Sequence, residues 1–365
     1  MVADHPRRTY CTYFDMNYLP RGLALWRSLR RVAPGAVLWI CCFDDATRHA
    51  LTRLALPDTH LFSLDELERR FPDLAAVRPR RSKVEYYFTC TPSVVRFVLD
   101  AAPDAGQVTY LDADLYFFAD PEPLFDELAA AGGAIGIIGH RFPERLKDRE
   151  VYGLYNVGWL TFARDERGMA CLEAWRRDCV AWCYARLEDG KFADQKYLDA
   201  WPGRYAGVTV LRHAGANVAL WNLDSATVAQ GDRHITIKGE PLLFYHFHGL
   251  QALSGWLFHI SLRDYGAGFD AAVQRLIYGP YLREWRETLA LARALGVAPG
   301  IGRGALRHGV VQYLKDQVRR LLGRRRGDYV VLWPRPMMRD RAARLAPQAC
   351  PAASPSQLDL APPSR

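Results

Sequence analysis

The feature that most constrains this chain is an alternation, through its N-terminal half, between short apolar runs and amphipathic stretches of helical spacing. The runs TYCTYF from Thr9, AVLWICCF from Ala36, QVTYLDAD from Gln107 and AIGIIGH from Ala134 are rich in β-branched and aromatic residues and bounded by turn residues, which is the pattern of strands. Between them, Arg21 to Arg31 carries Leu23, Trp26 and Leu29 at helical spacing, and Pro92 to Ala102 follows Thr91, a residue suited to cap a helix. Further on come a strand-like NVGWLTF from Asn156, a helix from about Arg167 to Leu187, a strand-like PLLFYHFHG from Pro241 and a helix from Tyr281 to Leu295. Alternation of this kind implies an α/β fold with a mostly parallel mixed sheet flanked by helices, in which ligands bind at the carboxyl ends of the strands.

A chain of 365 residues, half of them hydrophobic, has ample material for a large core. The expected organisation is a catalytic domain over 1–270, a helical extension over 271–340 and a disordered tail rich in alanine, proline and serine over 341–365. The longest nearly apolar run, Ala129 to Gly139, is broken by glycine and falls well short of the roughly 18 residues of a transmembrane helix. The N-terminal MVADHPRRTY has no apolar stretch behind its arginines. The 8 cysteines form no C-x-x-C pair and no zinc or disulfide spacing, so a reducing compartment is expected. We therefore expect a cytoplasmic protein without a transmembrane segment.

The formal charge of +8 is concentrated in one place. Arg303, Arg307, Lys315, Arg319, Arg320, Arg324, Arg325 and Arg326 stand against the single acid Asp316, and the rest of the chain is nearly neutral. Nucleic-acid grooves spread positive charge over a folded surface, so no nucleic-acid partner is expected. Over Ala305 to Arg326 the arginines interleave with Leu306, Val310, Leu314, Val318, Leu321 and Leu322 at helical spacing. Such a basic amphipathic helix suits an anionic membrane surface, which would make the protein peripheral at the inner face of the membrane.

The segment TYLDADLYFFADP, Thr109 to Pro121, places Asp112 and Asp114 two residues apart after an apolar strand. Continued as a strand, it would turn both carboxylates to one side about 6.5 to 7 Å apart. They would repel each other unless a cation or proton sat between them. A hard divalent ion suits carboxylate oxygens and keeps positions open for substrate phosphate. A bare D-x-D is more often a pair of solvated turn aspartates, and it is the strand before this one and its place in the α/β alternation that favour chemistry.

The motifs, in their order along about 240 residues, resemble the GT-A-fold glycosyltransferases and, within them, glycosyltransferase family 8 or a sister family. Asp15-Met16-Asn17-Tyr18 is similar to the family's D-x-N-Y nucleotide element, and Tyr110 to Asp114 to its metal motif. Asn156-Val157-Gly158 is similar to its N-x-G strand, Asp194 to Asp199 to its D-Q-x-x-L-N element, and His246-Phe247-His248-Gly249 to its H-x-x-G. Two departures stand out. The family's H-x-x-G is followed by a lysine, proline and tryptophan, the lysine meeting the diphosphate, where this chain has Leu250-Gln251-Ala252-Leu253. The arginine expected on the helix before the metal motif is also missing, with Lys83 or Arg81 the candidates for its place.

The resemblance implies a glycosyltransferase that takes a sugar from a nucleotide-diphosphate donor, UDP-hexose above all, and retains anomeric configuration. It implies that Asp114 and His246 hold a divalent metal, with His248 a lesser candidate, while Asp112 binds the metal or the ribose. An oxygen and imidazole set favours Mn2+ over Mg2+. Tyr13, Asp15, Asn17, Lys83, Gly158 and Gly249 would line the nucleotide-sugar site. Asp194, Gln195 and Asn156 would surround the donor sugar and carry the chemistry. The acceptor would be a glycan or lipid-linked glycan of lipopolysaccharide type. Two other readings are a sugar nucleotidyltransferase, which would want a glycine-rich basic loop after the first strand, and a non-catalytic membrane-surface binder.

Overall fold

The computed structural model describes residues 7–224, 227–266, 269–300, 309–315 and 328–331. Its centre is a seven-stranded sheet in the order β3 (Thr59–Ser63), β2 (Val37–Cys42), β1 (Thr9–Phe14), β4 (Gln107–Leu111), β7 (Tyr155–Ala163), β6 (Ile135–Gly139), β8 (Val208–Leu211). The pairs joining β3, β2, β1 and β4 are parallel, as is β6 with β8, while β7 runs antiparallel to both neighbours. The expected mostly parallel mixed sheet is therefore present, and the reversed strand matters. Because β7 opposes β4, its first residues lie beside the last residues of β4, so Asn156 and Gly158 reach the same sheet edge as Asp112.

Helices cover both faces, among them α1 (Leu19–Val32), α2 (Asp45–Leu54), α3 (Leu64–Arg70), α4 (Pro72–Val77), α5 (Lys83–Ala101), α6 (Glu122–Ala130) and α7 (Glu166–Ala181). One core lies between the sheet and α3, α5 and α7, with Val94, Val98, Leu160, Phe162 and Trp175 fully or almost fully buried. A second lies against α1 and α6, around Tyr10, Leu25, Leu111, Phe117 and Trp159. The strand expected from Pro241 is interrupted, with only Glu240–Pro241 and Phe244–His246 in strand form. Phe244–His246 pairs antiparallel with β5 (Leu115–Phe117), placing His246 opposite Leu115. The helix expected over Tyr281 to Leu295 spans Gly279–Ala294, and its Thr288 hydroxyl donates to the Pro20 carbonyl of α1 at 2.8 Å.

Two sequence expectations are corrected. The helix expected from Pro92 starts at Lys83, where Ser82 and Glu85 form a capping box, and Pro92 lies inside it. Proline there forfeits one helical hydrogen bond, but Tyr86, Cys90, Val94, Val95, Val98 and Leu99 are buried along the same helix, and that burial outweighs the loss. Thr91 is thus mid-helix and its hydroxyl is not a cap. The helix expected to reach Leu187 stops at Ala181, with Trp182 extended.

Residues up to 332 form one compact unit, and the second unit, 333–365, lies outside the described residues. Of the basic segment Ala305 to Arg326, residues 309–315 are described and helical, and the remainder lies outside the described residues, as does the tail 341–365.

The contact of α1 with the end of β1 allows a stability test. A methyl group on Gly22 would sit 2.3 Å from a ring carbon of the buried Phe14. Alanine is worth about 1 kcal/mol over glycine in a helix, but overpacking a core costs about 1 to 3 kcal/mol. We expect Gly22→Ala to lower the denaturant midpoint, with a net loss of about 1 to 2 kcal/mol. An unchanged or raised midpoint would mean that the Phe14 contact is soft.

Candidate functional site

Asp112-Ala113-Asp114 is a tight turn between β4 and β5, not a continuing strand, with the Leu115 N–H donating to the Asp112 carbonyl at 3.2 Å. Three backbone bonds fix it. The Asp112 N–H donates to the Gly158 carbonyl of β7 at 3.1 Å, and the Phe247 N–H donates to the Asp114 carbonyl at 3.0 Å. The turn is thereby held between β7 and the strand that carries His246.

The side chains converge as a result. His246 Nε2 lies 3.1 Å from Asp114 Oδ1 and 3.6 Å from Asp112 Oδ2. One donor atom from each of the three residues falls within 4.8 Å of the others, a spacing that fits a single cation. Burial pushes the Asp114 carboxyl up, but the charge and hydrogen bond of His246 outweigh it and hold the group well below its usual range. Asp112 goes the other way: burial raises it, and the Asp114 charge adds to that. Burial would depress His246, yet Asp114 and then Asp112 raise it. This electrostatic pattern is that of a place prepared for positive charge.

Behind the imidazole, His246 Nδ1 meets Asn156 Oδ1 at 3.2 Å, and the same oxygen accepts the Gly158 N–H at 3.0 Å. Such outer hydrogen bonds orient metal-ligating histidines. They also account for the glycine. A methyl on Gly158 would sit 2.6 Å from Asn156 Oδ1 and 3.0 Å from the His246 ring, so any side chain there would displace both.

In front of it lies a cavity of about 350 Å³ whose lining includes Tyr13, Asp112, Asn156, Asp194, Gln195 and His246. Asp194 is only 4% exposed. Its carboxylate is hydrogen-bonded by Thr91, whose Oγ1 is 3.0 Å from the Tyr13 hydroxyl. Burial, with the neighbouring Asp112 charge, pushes Asp194 up to about 7 against the Thr91 bond. Gln195 donates to the Tyr152 carbonyl at 3.1 Å and accepts from Asn156 at 3.4 Å.

The other sequence candidates fall around this centre. Asp15 accepts from Lys83 Nζ at 2.7 Å, the Tyr87 hydroxyl at 3.1 Å and the Asn17 N–H at 3.0 Å. Burial raises its carboxyl, but Lys83 holds it below the usual range. Asn17 Oδ1 accepts from the Gly300 N–H at 3.0 Å. This acidic clamp does not line the cavity, and the Lys83 ammonium is engaged by Asp15. Arg81 donates to the Val180 carbonyl. His248 lies on the cavity rim, 5.7 Å from the Trp221 ring, and is not one of the three clustered donors. Gly249 turns the chain after it at φ +72°, with its carbonyl accepting from the Ser261 hydroxyl at 3.3 Å.

No protein-family model matches the chain. The protein YfnF of Bacillus subtilis (strain 168), itself described as uncharacterized, is 32% identical over 251 residues, covering 67% of this chain and 82% of YfnF. The chain belongs to the family of YfnF. The chain is also similar to many solved structures, among them these two. Mouse xyloside xylosyltransferase 1, apo form, matches at TM-score 0.44 and 15% identity, over 67% of this chain and 98% of that one. The galactosyltransferase LgtC, in complex with donor and acceptor sugar analogs, matches at TM-score 0.45 and 17% identity, over 81% and 99%. No helix among the described residues of the YfnF-family chain is long and apolar enough to cross a membrane.

Several cavity residues of this YfnF-family chain carried no signal in the sequence reading. Thr91, which backs Asp194 without lining the cavity, lies inside a helix where the sequence places a helix start. His140, Trp221 and Tyr265 build an aromatic wall, with Trp221 and His140 rings 5.2 Å apart and Trp221 and Tyr265 rings 6.2 Å apart. Arg149 is the one arginine or lysine among the lining residues. It stacks on Tyr265 at 4.9 Å and donates to the Asp264 carbonyl at 2.6 Å. Single aromatic and basic residues spaced this far apart form no local motif.

The raised Asp194 carboxyl has a thermodynamic signature. With a folded pKa of about 7 against about 3.9 unfolded, the native state binds more protons between those values, so stability falls as pH rises through that window. Asp194→Asn removes this burden. In metal-free YfnF-family protein the variant should be more stable than wild type at pH 8, by an amount on the order of a few kcal/mol. The two should converge near pH 4. Parallel stability curves across this range would contradict the assignment.

Proposed function

We propose that this protein is a metal-dependent glycosyltransferase. It moves a hexose from a UDP-type nucleotide-sugar donor, with retention, to a glycan or lipid-linked acceptor of lipopolysaccharide type. The observation that carries the reading is the meeting of Asp112, Asp114 and His246, donor atoms within 4.8 Å, at a cavity whose lining also includes Asn156, Asp194 and Gln195. The motif order supports UDP, hexose and retention.

Asp114 and His246 would hold the ion, with Asp112 as third ligand or ribose partner, and two carboxylates with one imidazole favour Mn2+ over Mg2+. When bound, such an ion neutralises charge that develops on the departing diphosphate. The chain's own residues position the sugar. Asp194, buried and backed by Thr91, is placed to accept hydroxyl hydrogen bonds, and Asn156 and Gln195 form a polar corner beside it. Arg149 supplies the positive charge that the cavity presents to an anionic substrate group, in a molecule that lacks the family lysine after Gly249. The acceptor would enter past the segment from Phe142 to Tyr155, which contributes Phe142, Arg149 and Tyr152 to the lining. The nucleotidyltransferase reading is not favoured, because the chain after β1 is the acidic clamp around Asp15 rather than a glycine-rich basic loop.

Two experiments test this. A panel of nucleotide sugars, with and without Mn2+, should give release of nucleoside diphosphate from one donor, and Asp114→Ala should reduce it by about 100-fold or more, equivalent to roughly 3 kcal/mol. If no donor is bound or turned over, or if the variant equals wild type, the enzymatic reading fails. For the membrane, the basic segment Ala305 to Arg326 should carry the full chain into the floating fraction with anionic vesicles, and a chain ending at Gly300 should stay behind. Equal recovery of the two would remove the peripheral-membrane part.

A further inference from the structure

The hydrogen bonds behind the metal cluster form a directed chain with both ends fixed by backbone groups. At one end the Gly158 N–H, which can only donate, points at Asn156 Oδ1 at 3.0 Å. This settles the amide: the oxygen faces Gly158 and His246, so the nitrogen, a donor only, faces His140 Nε2 at 3.2 Å. His140 Nε2 must therefore accept. Its proton belongs on Nδ1, and Nδ1 lies 3.4 Å from the Leu154 carbonyl, which can only accept. On the other side, Asn156 Oδ1 can only accept, so the 3.2 Å contact with His246 Nδ1 requires that nitrogen to carry a proton. The Nε2 lone pair of neutral His246 is then directed at Asp112 and Asp114.

The His140 ring is held for this task. It stacks on Phe142 at 4.7 Å and 7° and meets the edge of Trp221 at 5.2 Å. Burial keeps its pKa down at about 3, so the ring stays neutral and its Nε2 stays an acceptor. Removing it would leave one buried N–H of Asn156 without its partner and free the amide to rotate about its last torsion. The Gly158, Gln195 and His246 contacts would then have to hold it without its fixed donor partner.

We propose that His140 is a positioning residue for the metal centre: through Asn156 it fixes which ring nitrogen of His246 faces Asp112 and Asp114. The inference rests on the metal reading, and it concerns the supply of a correctly oriented lone pair rather than contact with the ion or the substrate.

The test uses the full chain and Mn2+ alone, with binding read from the electron paramagnetic resonance signal of the free ion. His140→Ala should weaken Mn2+ binding by about 10-fold, the low end of the range seen when the direct partner of a ligating histidine is lost. In His140→Gln one amide end can accept from Asn156 while the other donates to Leu154, so affinity should return most of the way to wild type. A merely structural role would lower the melting temperature of both variants without this split in affinity. Wild-type affinity in His140→Ala, or equal weakness in both, overturns the proposal. Because a variant could fail to fold, the second measurement uses wild type, free of metal and labelled with 15N in its histidines. Long-range 15N–1H correlations should give His140 the Nδ1–H tautomer, and an Nε2–H tautomer would overturn the proposal without any variant. If wild type binds no Mn2+, the metal reading falls by itself, and the tautomer result still decides the orientation of Asn156.

Discussion

The site depends on one electrostatic constraint: two carboxylates and an imidazole are held together in a largely buried place by backbone hydrogen bonds that none of them can escape. Asp112 is tied to β7 and Asp114 to the residue after His246, so the backbone cannot move apart to relieve the repulsion of the carboxylates. The molecule answers by splitting the two carboxyls, one pushed up and one held down, and by raising the imidazole between them. Positive charge at this point stabilises the whole arrangement. The raised His246 favours a proton at this point, and a divalent ion would take that proton's place.

That constraint is created by topology. A fully parallel sheet would have sent the start of the strand beside β4 to the opposite edge. The reversal of β7 instead brings Asn156 and Gly158 to the carboxyl end of β4, and the pairing of β5 with Phe244–His246 brings the imidazole from far along the chain. Both devices follow from local chemistry. The Asp112–Asp114 turn leads straight into the three-residue β5, and the absence of a side chain at Gly158 lets β7, Asn156 and His246 pack within about one atomic contact of each other.

Much of this was legible in the sequence because the carriers are local. Apolar runs bounded by turns mark β1, β2, β4, β6 and β7, since burial on both faces demands continuous hydrophobic residues. The D-x-D, N-x-G and H-x-x-G groups stood out as chemistry-bearing for the same reason, each confined to a few residues. What sequence reasoning got wrong was governed by longer-range energetics. Pro92 reads as a helix start, but the buried face of α5 tolerates it, so Thr91 was given a capping role when its hydroxyl serves Asp194 and Tyr13. The carboxylates were expected on a strand pleat, whereas a turn sets their spacing. The sequence offers Lys83 as a residue of the nucleotide-sugar site in place of the family arginine, and nothing in its neighbourhood along the chain foretells its pairing with Asp15, 68 residues away. His140, Trp221, Tyr265 and Arg149 were invisible because only the folded chain assembles them.

The central claim is that Asp112, Asp114 and His246 hold one divalent cation that serves a nucleotide diphosphate. The most direct measurement is anomalous diffraction at the manganese edge from crystals soaked in Mn2+ and UDP. The account predicts a single strong peak at bonding distance from His246 Nε2 and an Asp114 oxygen, with UDP phosphate oxygens on the cavity side. No peak at this cluster, or a peak elsewhere with UDP bound away from it, would contradict the account.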